Sequence, residues 1–209
     1  MKLILIIIFI TTFQLNAQQS QGFIKTAFNA IQSEDYSAAR ENYDKAIQKN
    51  SNYAPSYYGR GLANYYLGNY NEAINDFDQA SKLDPNYFET YYAKGLAQTK
   101  LGDFQGAVEN FTKTLSIVNG YPEAYYARAN AYYYLNQFES SLRDYDKVLT
   151  LNSNYGLAYY GRAICNQALE RNNEAIRDYD KYLELNGDVD GLQAQVQKLI
   201  TEIEEYIKG

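Results

Sequence analysis

The stretch that decides the fold is "APSYYGRGLANYYLGNYNEAINDFDQASKLDPNY", which runs from Ala54 to Tyr87. Its phrase "YYGRG" begins at Tyr57 and returns as "YYAKG" at Tyr91, "YYARA" at Tyr125 and "YYGRA" at Tyr159. These four starting positions, 57, 91, 125 and 159, are spaced by 34 residues. A fixed period of this size, kept without insertions, is typical of stacked repeat units.

The period divides the chain into five blocks: residues 20–53, 54–87, 88–121, 122–155 and 156–189. In the second block, Tyr58, Leu62 and Tyr65 are spaced to share one face of a helix. Gly68 in the following "LGNY" is a residue type that accepts the left-handed conformation closing a helix. A second apolar-periodic run then continues until Pro85 stops it. Each block therefore predicts two helices joined by a tight turn.

The second block resembles a tetratricopeptide repeat. The signature columns of that family are an aromatic, a small residue, an alanine, an aromatic, an alanine and a proline. In this block they fall on Tyr57, Gly61, Ala73, Phe77, Ala80 and Pro85. The resemblance covers residues 20–189 and implies an all-α fold, a right-handed α-solenoid of antiparallel helix-turn-helix hairpins. Some blocks depart from single columns, as where Ser153 replaces the proline and Val148 the second alanine.

The two ends of the repeat region differ from its middle. Ser33, Arg40 and Lys49 give the first block a more polar face, as expected of a terminal repeat. After the last block, an apolar stripe at helical spacing predicts a helix over residues 190–209 that caps the final hairpin. Its members are Leu192, Val196, Leu199, Ile200 and Ile203. We therefore predict a repeat domain over residues 18–189 followed by this cap.

The N-terminal stretch "MKLILIIIFITTFQLNAQQS" is predicted to be a secretory signal peptide over residues 1–17. Lys2 precedes an apolar run from Leu3 to Phe13, and Ala17 is the expected last residue before cleavage. An uncleaved membrane anchor is the alternative, but the run is shorter than the ~20 residues that a spanning helix needs. The sequence thus predicts export by a bacterium, to the periplasm or out of the cell.

Composition excludes several classes of function. A net charge of -6 and a pI near 4.8 disfavour nucleic-acid binding, which needs a basic surface. The chain has no histidine, the commonest general base, and no motif of a nucleophilic or phosphate-binding enzyme. We expect no catalytic residues, no cofactor and no metal site. Cys165 occupies a column that holds alanine in other blocks, which indicates a small buried core residue.

Tyrosine is the unusual feature, with 24 copies in the chain. Adjacent helix residues point about 100° apart, so the two tyrosines of each phrase serve different surfaces. The first is a signature residue of the repeat, and the second lies on the face that, by resemblance to the family, lines a concave groove. The predicted groove residues are Tyr58, Leu62, Tyr65, Tyr92, Leu96, Tyr126, Asn130, Tyr133, Tyr160 and Ile164.

This aromatic, nearly uncharged groove predicts a non-catalytic scaffold that binds a peptide or helix of a partner protein. Membrane association would then come only through that partner. One alternative is a carbohydrate or cell-wall binding module, in which the tyrosines stack on sugar rings. Self-association through the same surface is another, and packing between repeats could also account for each single tyrosine.

Charged residues in the repeats suggest a structural role. Arg60, Arg128 and Arg162 occur in blocks whose second helix carries an "Asp-x-Asp" pair, which predicts an internal ion pair. A basic stripe for an acidic ligand is the rival interpretation.

The Asp pairs cannot chelate one ion, because residues two apart on a helix diverge by about 200°. The spacing of polar residues in the segment Asn186–Gln197 is similar to that of a calcium-binding loop. The segment lacks the Asp at the first position and the Glu at the last position of such a loop. We therefore favour a helix end followed by an Asp N-cap.

Overall fold

A computed structural model describes the backbone of residues 2–186 and 191–208 and the side chains of residues 14–185 and 191–208. Over these ranges the chain is all-α and contains no strand, as the sequence predicts. Eleven helices lie in the described part: α1 (Lys2–Gln32), α2 (Tyr36–Lys49), α3 (Ala54–Tyr66), α4 (Tyr70–Leu83), α5 (Phe88–Leu101), α6 (Phe104–Ile117), α7 (Pro122–Tyr134), α8 (Phe138–Leu151), α9 (Gly156–Ala168), α10 (Asn172–Asn186) and α11 (Gln193–Lys208).

The helices form two compact units, Met1–Asp103 and Phe104–Gly209. In the first unit, α1 pairs with α2 and α3 with α4, and α5 packs on α4. In the second unit, α7 pairs with α8 and α9 with α10, while α6 packs on α7 and α11 on α10. Short turns join the paired helices, so each pair is an antiparallel hairpin that buries its apolar face only by packing on its neighbour.

Each turn between the first and second helix of a block contains one residue in the left-handed region. Gly68, which the sequence predicts to close a helix in this conformation, has a φ of 81°, and Gly102 and Asn136 have φ values of 78° and 57°. Glu34 and Glu170 adopt the same conformation at 59° and 58°, although their residue type does not favour it. Reversing the chain within three residues requires this conformation, so the hairpin imposes it on glutamate as well.

The first glycine of the phrase "YYGRG" is explained by the aromatic residue of the preceding hairpin. A Cβ on Gly59 would lie less than 3.0 Å from three atoms of the Tyr43 side chain, including its hydroxyl oxygen. Gly161 has the same relation to Tyr145. In the two intervening blocks the preceding aromatic is phenylalanine, which lacks the hydroxyl, and the glycine is replaced by Ala93 or Ala127. The glycine therefore makes room for a tyrosine.

Gly59→Ala is expected to lower the free energy of unfolding by about 1–2 kcal/mol, because overpacking outweighs the helix propensity that alanine adds. Adding Tyr43→Phe recreates the pairing of Phe77 with Ala93 and should recover most of this loss. Urea unfolding followed by circular dichroism gives the coupling energy of the double-mutant cycle. If the effects of the two substitutions on the free energy of unfolding are strictly additive, the idea that the glycine makes room for the tyrosine is wrong.

The last helix covers the end of the second unit. Val196, Ile200 and Ile203 of α11 are buried against a cluster that includes Tyr179 and Tyr182. Three members of the predicted stripe are thus core residues. Of the segment that imitates a calcium loop, residues 187–190 lie outside the described residues.

At the other end, α1 is continuous from Lys2 to Gln32. The side chains of the apolar run 3–13 lie outside the described residues. Among the described side chains of α1, the first buried one along the chain is Ser20, whose hydroxyl donates a hydrogen bond to the carbonyl oxygen of Ala46 of α2 (3.1 Å). Where side chains are described, no helix has the length and apolar character needed to cross a membrane.

Candidate functional site

The predicted groove residues share one degree of exposure. All ten, which we call the groove face, are half-buried, with part of each side chain covered and part open. They lie on α3 and α5 in the first unit and on α7 and α9 in the second. The residues are Tyr58, Leu62, Tyr65, Tyr92, Leu96, Tyr126, Asn130, Tyr133, Tyr160 and Ile164.

Each of three groove tyrosines is held by two further rings. The ring of Tyr58 lies 4.9 Å from that of Tyr87 and 6.0 Å from that of Phe77, measured between centroids. Tyr126 and Tyr160 repeat the arrangement at 5.2–5.9 Å, with Tyr145 and Tyr155 around the first and Tyr179 and Tyr182 around the second. Core packing thus fixes the rings while one side stays open, so a ligand would meet a surface ordered in advance.

The first unit has an apolar cavity of about 460 Å³ between α1 and α3. Tyr58 and Leu62 line it from α3, while Ile24, Phe28 and Ile31 line it from α1. The sequence interpretation missed these three α1 residues. The signal was present, since they stand 34 residues before Tyr58, Leu62 and Tyr65.

The second unit has a smaller cavity of about 170 Å³ on its groove face. Its walls are mostly aromatic, and no charged residue lines it. The lining residues are Tyr126, Asn130, Tyr133, Tyr134, Tyr145, Tyr160, Gly161 and Ile164. A cavity of this size suits one medium-sized apolar side chain rather than a whole ligand.

The amide side chains of this face are already engaged. The hydroxyl of Tyr145 donates to Oδ1 of Asn130 at 2.5 Å, and that of Tyr179 donates to Oε1 of Gln167 at 3.1 Å. Burial raises the pKa of Tyr145 and Tyr179, so both phenols are neutral donors at physiological pH. Sugar recognition on this face would need these amide oxygens, whereas an apolar peptide side chain would not.

The arginines form internal ion pairs, which confirms the prediction. In the second unit, Arg162 donates from Nε to Oδ2 of Asp178 (2.8 Å) and from Nη2 to Oδ1 of Asp178 (2.5 Å). Its Nη1 donates to Asp146 of the preceding hairpin at 2.6 Å. The hydrogen bond to Asp178 raises the pKa of the Arg162 guanidinium despite its partial burial. The rival interpretation, a free basic stripe, is not supported.

The three arginines each reach partners 16 positions before and after them, and Lys94 reaches the partner 16 positions before it. Arg60 contacts Asp44 and Asp76 in this way, and Lys94 contacts Asp78. Arg128 contacts Asp144 and, because the preceding block lacks the second aspartate, the hydroxyl of Thr112 (2.9 Å). The first aspartate of a pair closes its own hairpin, and the second joins it to the next.

The same geometry separates the two carboxylates of the Asp76/Asp78 and Asp144/Asp146 pairs, which contact different cations. Among the described residues, no three His, Cys, Asp or Glu side chains come together so as to hold a metal ion. Cys165 is fully buried beside the hydroxyl of Ser141 (3.2 Å), as its column predicts. Burial also raises the pKa of this thiol, which makes it a poor nucleophile.

Family models match the described repeats directly. A model described as "TPR repeat" matches residues 63–102, and two tetratricopeptide models match residues 88–117 and 122–155. These matches fall on the hairpins whose signature residues are packed as described above. The chain is a tetratricopeptide repeat protein. Such repeats form a scaffold fold that is typical of protein–protein interaction and is generally non-catalytic.

Solved structures of other tetratricopeptide repeat proteins share this fold. A fragment of MamA from Desulfovibrio magneticus RS-1 is 21% identical with a TM-score of 0.78, covering 82% of this chain and 97% of the other. YrrB, described as a TPR protein with an unusual peptide-binding site, is 20% identical with a TM-score of 0.77 and coverages of 91% and 97%.

A tetratricopeptide repeat protein from Parabacteroides merdae ATCC 43184 is 18% identical with a TM-score of 0.79. It covers 90% of this chain, which in turn covers 74% of that protein. At these identities the likeness concerns the fold alone. No curated protein matches the sequence.

Proposed function

We propose that this tetratricopeptide repeat protein is a non-catalytic scaffold of the bacterial cell envelope. Its groove face binds an apolar peptide or helix of a partner protein. The observation that carries the proposal is an open cavity lined by groove-face residues in each unit, apolar at about 460 Å³ in the first and mostly aromatic at about 170 Å³ in the second. Open apolar surface on an otherwise polar protein favours a binding role over solvent exposure.

The chemical character of the groove face favours a peptide ligand over a sugar. Rings held by other rings offer apolar area with little rotational entropy to lose, which suits aliphatic anchor side chains. The amide oxygens of Asn130 and Gln167 already accept hydrogen bonds from tyrosine hydroxyls, which leaves each with less capacity to accept one from a sugar. The peptide-binding site named for YrrB is an analogy in the same fold.

Export is the second part of the proposal. Cleavage after Ala17 would remove residues that precede Ser20, the first buried side chain among those described. The repeat domain would therefore lose none of the packing described here. Mass spectrometry of the protein exported by a bacterial host should give a chain beginning at Gln18. A retained N-terminus would contradict export by a cleaved signal.

The groove is tested with peptides selected from a displayed library on residues 18–209. Tyr126→Ala/Tyr160→Ala is expected to raise the Kd of a selected peptide by at least about tenfold, as for tyrosine anchors in other interfaces. Fluorescence anisotropy with a labelled peptide measures this change. Tyr126→Phe/Tyr160→Phe keeps the rings and should stay within about threefold of the wild type.

A matched control separates the groove from the rest of the surface. Tyr206 of α11 is exposed and belongs to no ring cluster of the described residues, so Tyr206→Ala should leave the Kd unchanged. Unaltered affinity in the double alanine variant, with circular dichroism showing it folded, would overturn the groove. Sedimentation of the same variants tests self-association, since a groove occupied by a second copy would yield dimers only with intact tyrosines.

A further inference from the structure

Two aromatic stacks are formed by residues outside the ten that define the groove face, although one of their rings, Tyr134, also lines the 170 Å³ cavity of the second unit. In the first unit, the rings of Tyr36 and Tyr66 lie 4.7 Å apart with planes 16° from parallel. In the second unit, Phe104 and Tyr134 lie 4.6 Å apart at 14°. Each stack joins the start of one helix to the end of another, beside the hairpin turns.

The outer ring of each stack is unusually open. Tyr66 is 55% exposed and Tyr134 is 58% exposed, although both are rigidly supported from one side. Neighbouring rings also pack against their edges, since Tyr65 and Tyr133 each contact the next residue at 5.5 Å in an edge-on geometry. The result is a flat ring with a fixed orientation at the surface of each unit.

Folding alone does not require a ring at this position. The equivalent residue of the third block is Lys100, whose aliphatic stem covers apolar surface while its charge stays in water. A stack of two rings stabilises by only about 0.5–1.5 kcal/mol, and a half-exposed tyrosine leaves apolar area in water. An exposed ring present in both units therefore suggests a surface that is used.

The surroundings of the rings suit a neutral ligand rich in hydroxyl groups. Tyr134 is followed in the same turn by Asn136 and Gln137, whose exposed amides can donate and accept hydrogen bonds. Tyr66 is followed by Asn69, and Glu34 lies close enough to help raise the pKa of Tyr36. With a net charge of -6 the protein repels anions, which disfavours phosphorylated or uronic ligands.

From this geometry we propose that Tyr66 and Tyr134, each in its own unit, are stacking platforms for a pyranose ring of a neutral oligosaccharide. The C–H face of a pyranose packs on the negative face of an aromatic ring, and its equatorial hydroxyls reach the neighbouring amides. A proline-rich peptide fits less well. Prolines dock in slots between separated rings, and here the two rings are stacked with no space between them.

The test uses protein expressed from the complete sequence and, as probes, neutral hexaoses of glucose and of N-acetylglucosamine. Isothermal calorimetry is expected to detect binding of at least one of them. Tyr66→Ala/Tyr134→Ala should raise its Kd by about tenfold or more, or about 1.4 kcal/mol. Tyr66→Phe/Tyr134→Phe keeps both platforms and should remain within about threefold.

Two further variants serve as controls, one for loss of folding and one for the loss of any exposed tyrosine. Tyr66→Lys/Tyr134→Lys introduces the residue that the third block already carries, so it should fold normally and still lose sugar binding. Tyr206→Ala removes an isolated tyrosine that is 73% exposed and should bind like the wild type.

Three results would overturn the platforms: no binding of any hexaose up to millimolar concentration, binding that survives the lysine variant, or decaproline binding lost in that variant. Tyr134 also lines the 170 Å³ cavity of the second unit, whereas Tyr66 lines neither cavity of the groove face. Tyr66→Ala alone should therefore weaken sugar binding and leave peptide affinity unchanged, so failure of peptide binding and failure of sugar binding are distinguishable.

Discussion

Replacing Asp178 with alanine is expected to lower the free energy of unfolding by about 3–5 kcal/mol. The carboxylate is 8% exposed and accepts two hydrogen bonds from Arg162 and a third from Asn166 (3.2 Å). Its removal leaves a guanidinium that is mostly buried without its main counter-charge. Urea unfolding followed by circular dichroism measures the loss.

Asp146 supplies a matched control because it binds the same guanidinium from the preceding hairpin. Its side chain is 60% exposed, so water can replace it, and Asp146→Ala should cost no more than about 1 kcal/mol. Adding Arg162→Met to Asp178→Ala should recover part of the loss, since no uncompensated charge is then buried. Equal costs for the two aspartates would contradict the role assigned to burial.

Alkaline pH is expected to unfold the protein cooperatively, beginning near the ordinary tyrosine pKa of about 10. Burial raises the pKa of Tyr145 and Tyr179, and it raises the pKa of Tyr87 to about 12. The folded state therefore holds these phenols neutral where the unfolded chain ionises them. Their stabilising effect is complete below about pH 10 and is lost as pH rises through the folded pKa values.

Tyrosinate absorbance and helical circular dichroism, recorded together during the titration, test this expectation. Exposed tyrosines should ionise first, and a second group should ionise only as helix is lost. Tyr145→Phe/Tyr179→Phe removes two buried ionisable groups and should move the unfolding midpoint to higher pH. Full ionisation of all 24 tyrosines with the helix signal intact would contradict it.

Sequence periodicity predicted the helices well because every block repeats the same spacing of apolar residues and the same turn position. The closing residue Gly68 is predicted from its residue type. Glu34 and Glu170 are not, since glutamate carries no preference for the left-handed region and the turn geometry alone demands it. The cavity-lining residues of α1, such as Ile24, are not predicted because the first block has isoleucine at the position where the other four blocks have tyrosine.

The sequence by itself determined the repeat length, the hairpin, the small and aromatic columns and the polar first block. These follow from periods of 34 and about 3.6 residues, which are local properties of the chain. Only the tertiary structure decided which partners meet. Arg162 divides its hydrogen bonds between acids 16 residues to either side, and Gly59 admits the tyrosine of the hairpin before it. Such pairings depend on how adjacent hairpins pack, because contacts between helices are set by their separation and tilt and not by spacing along one helix.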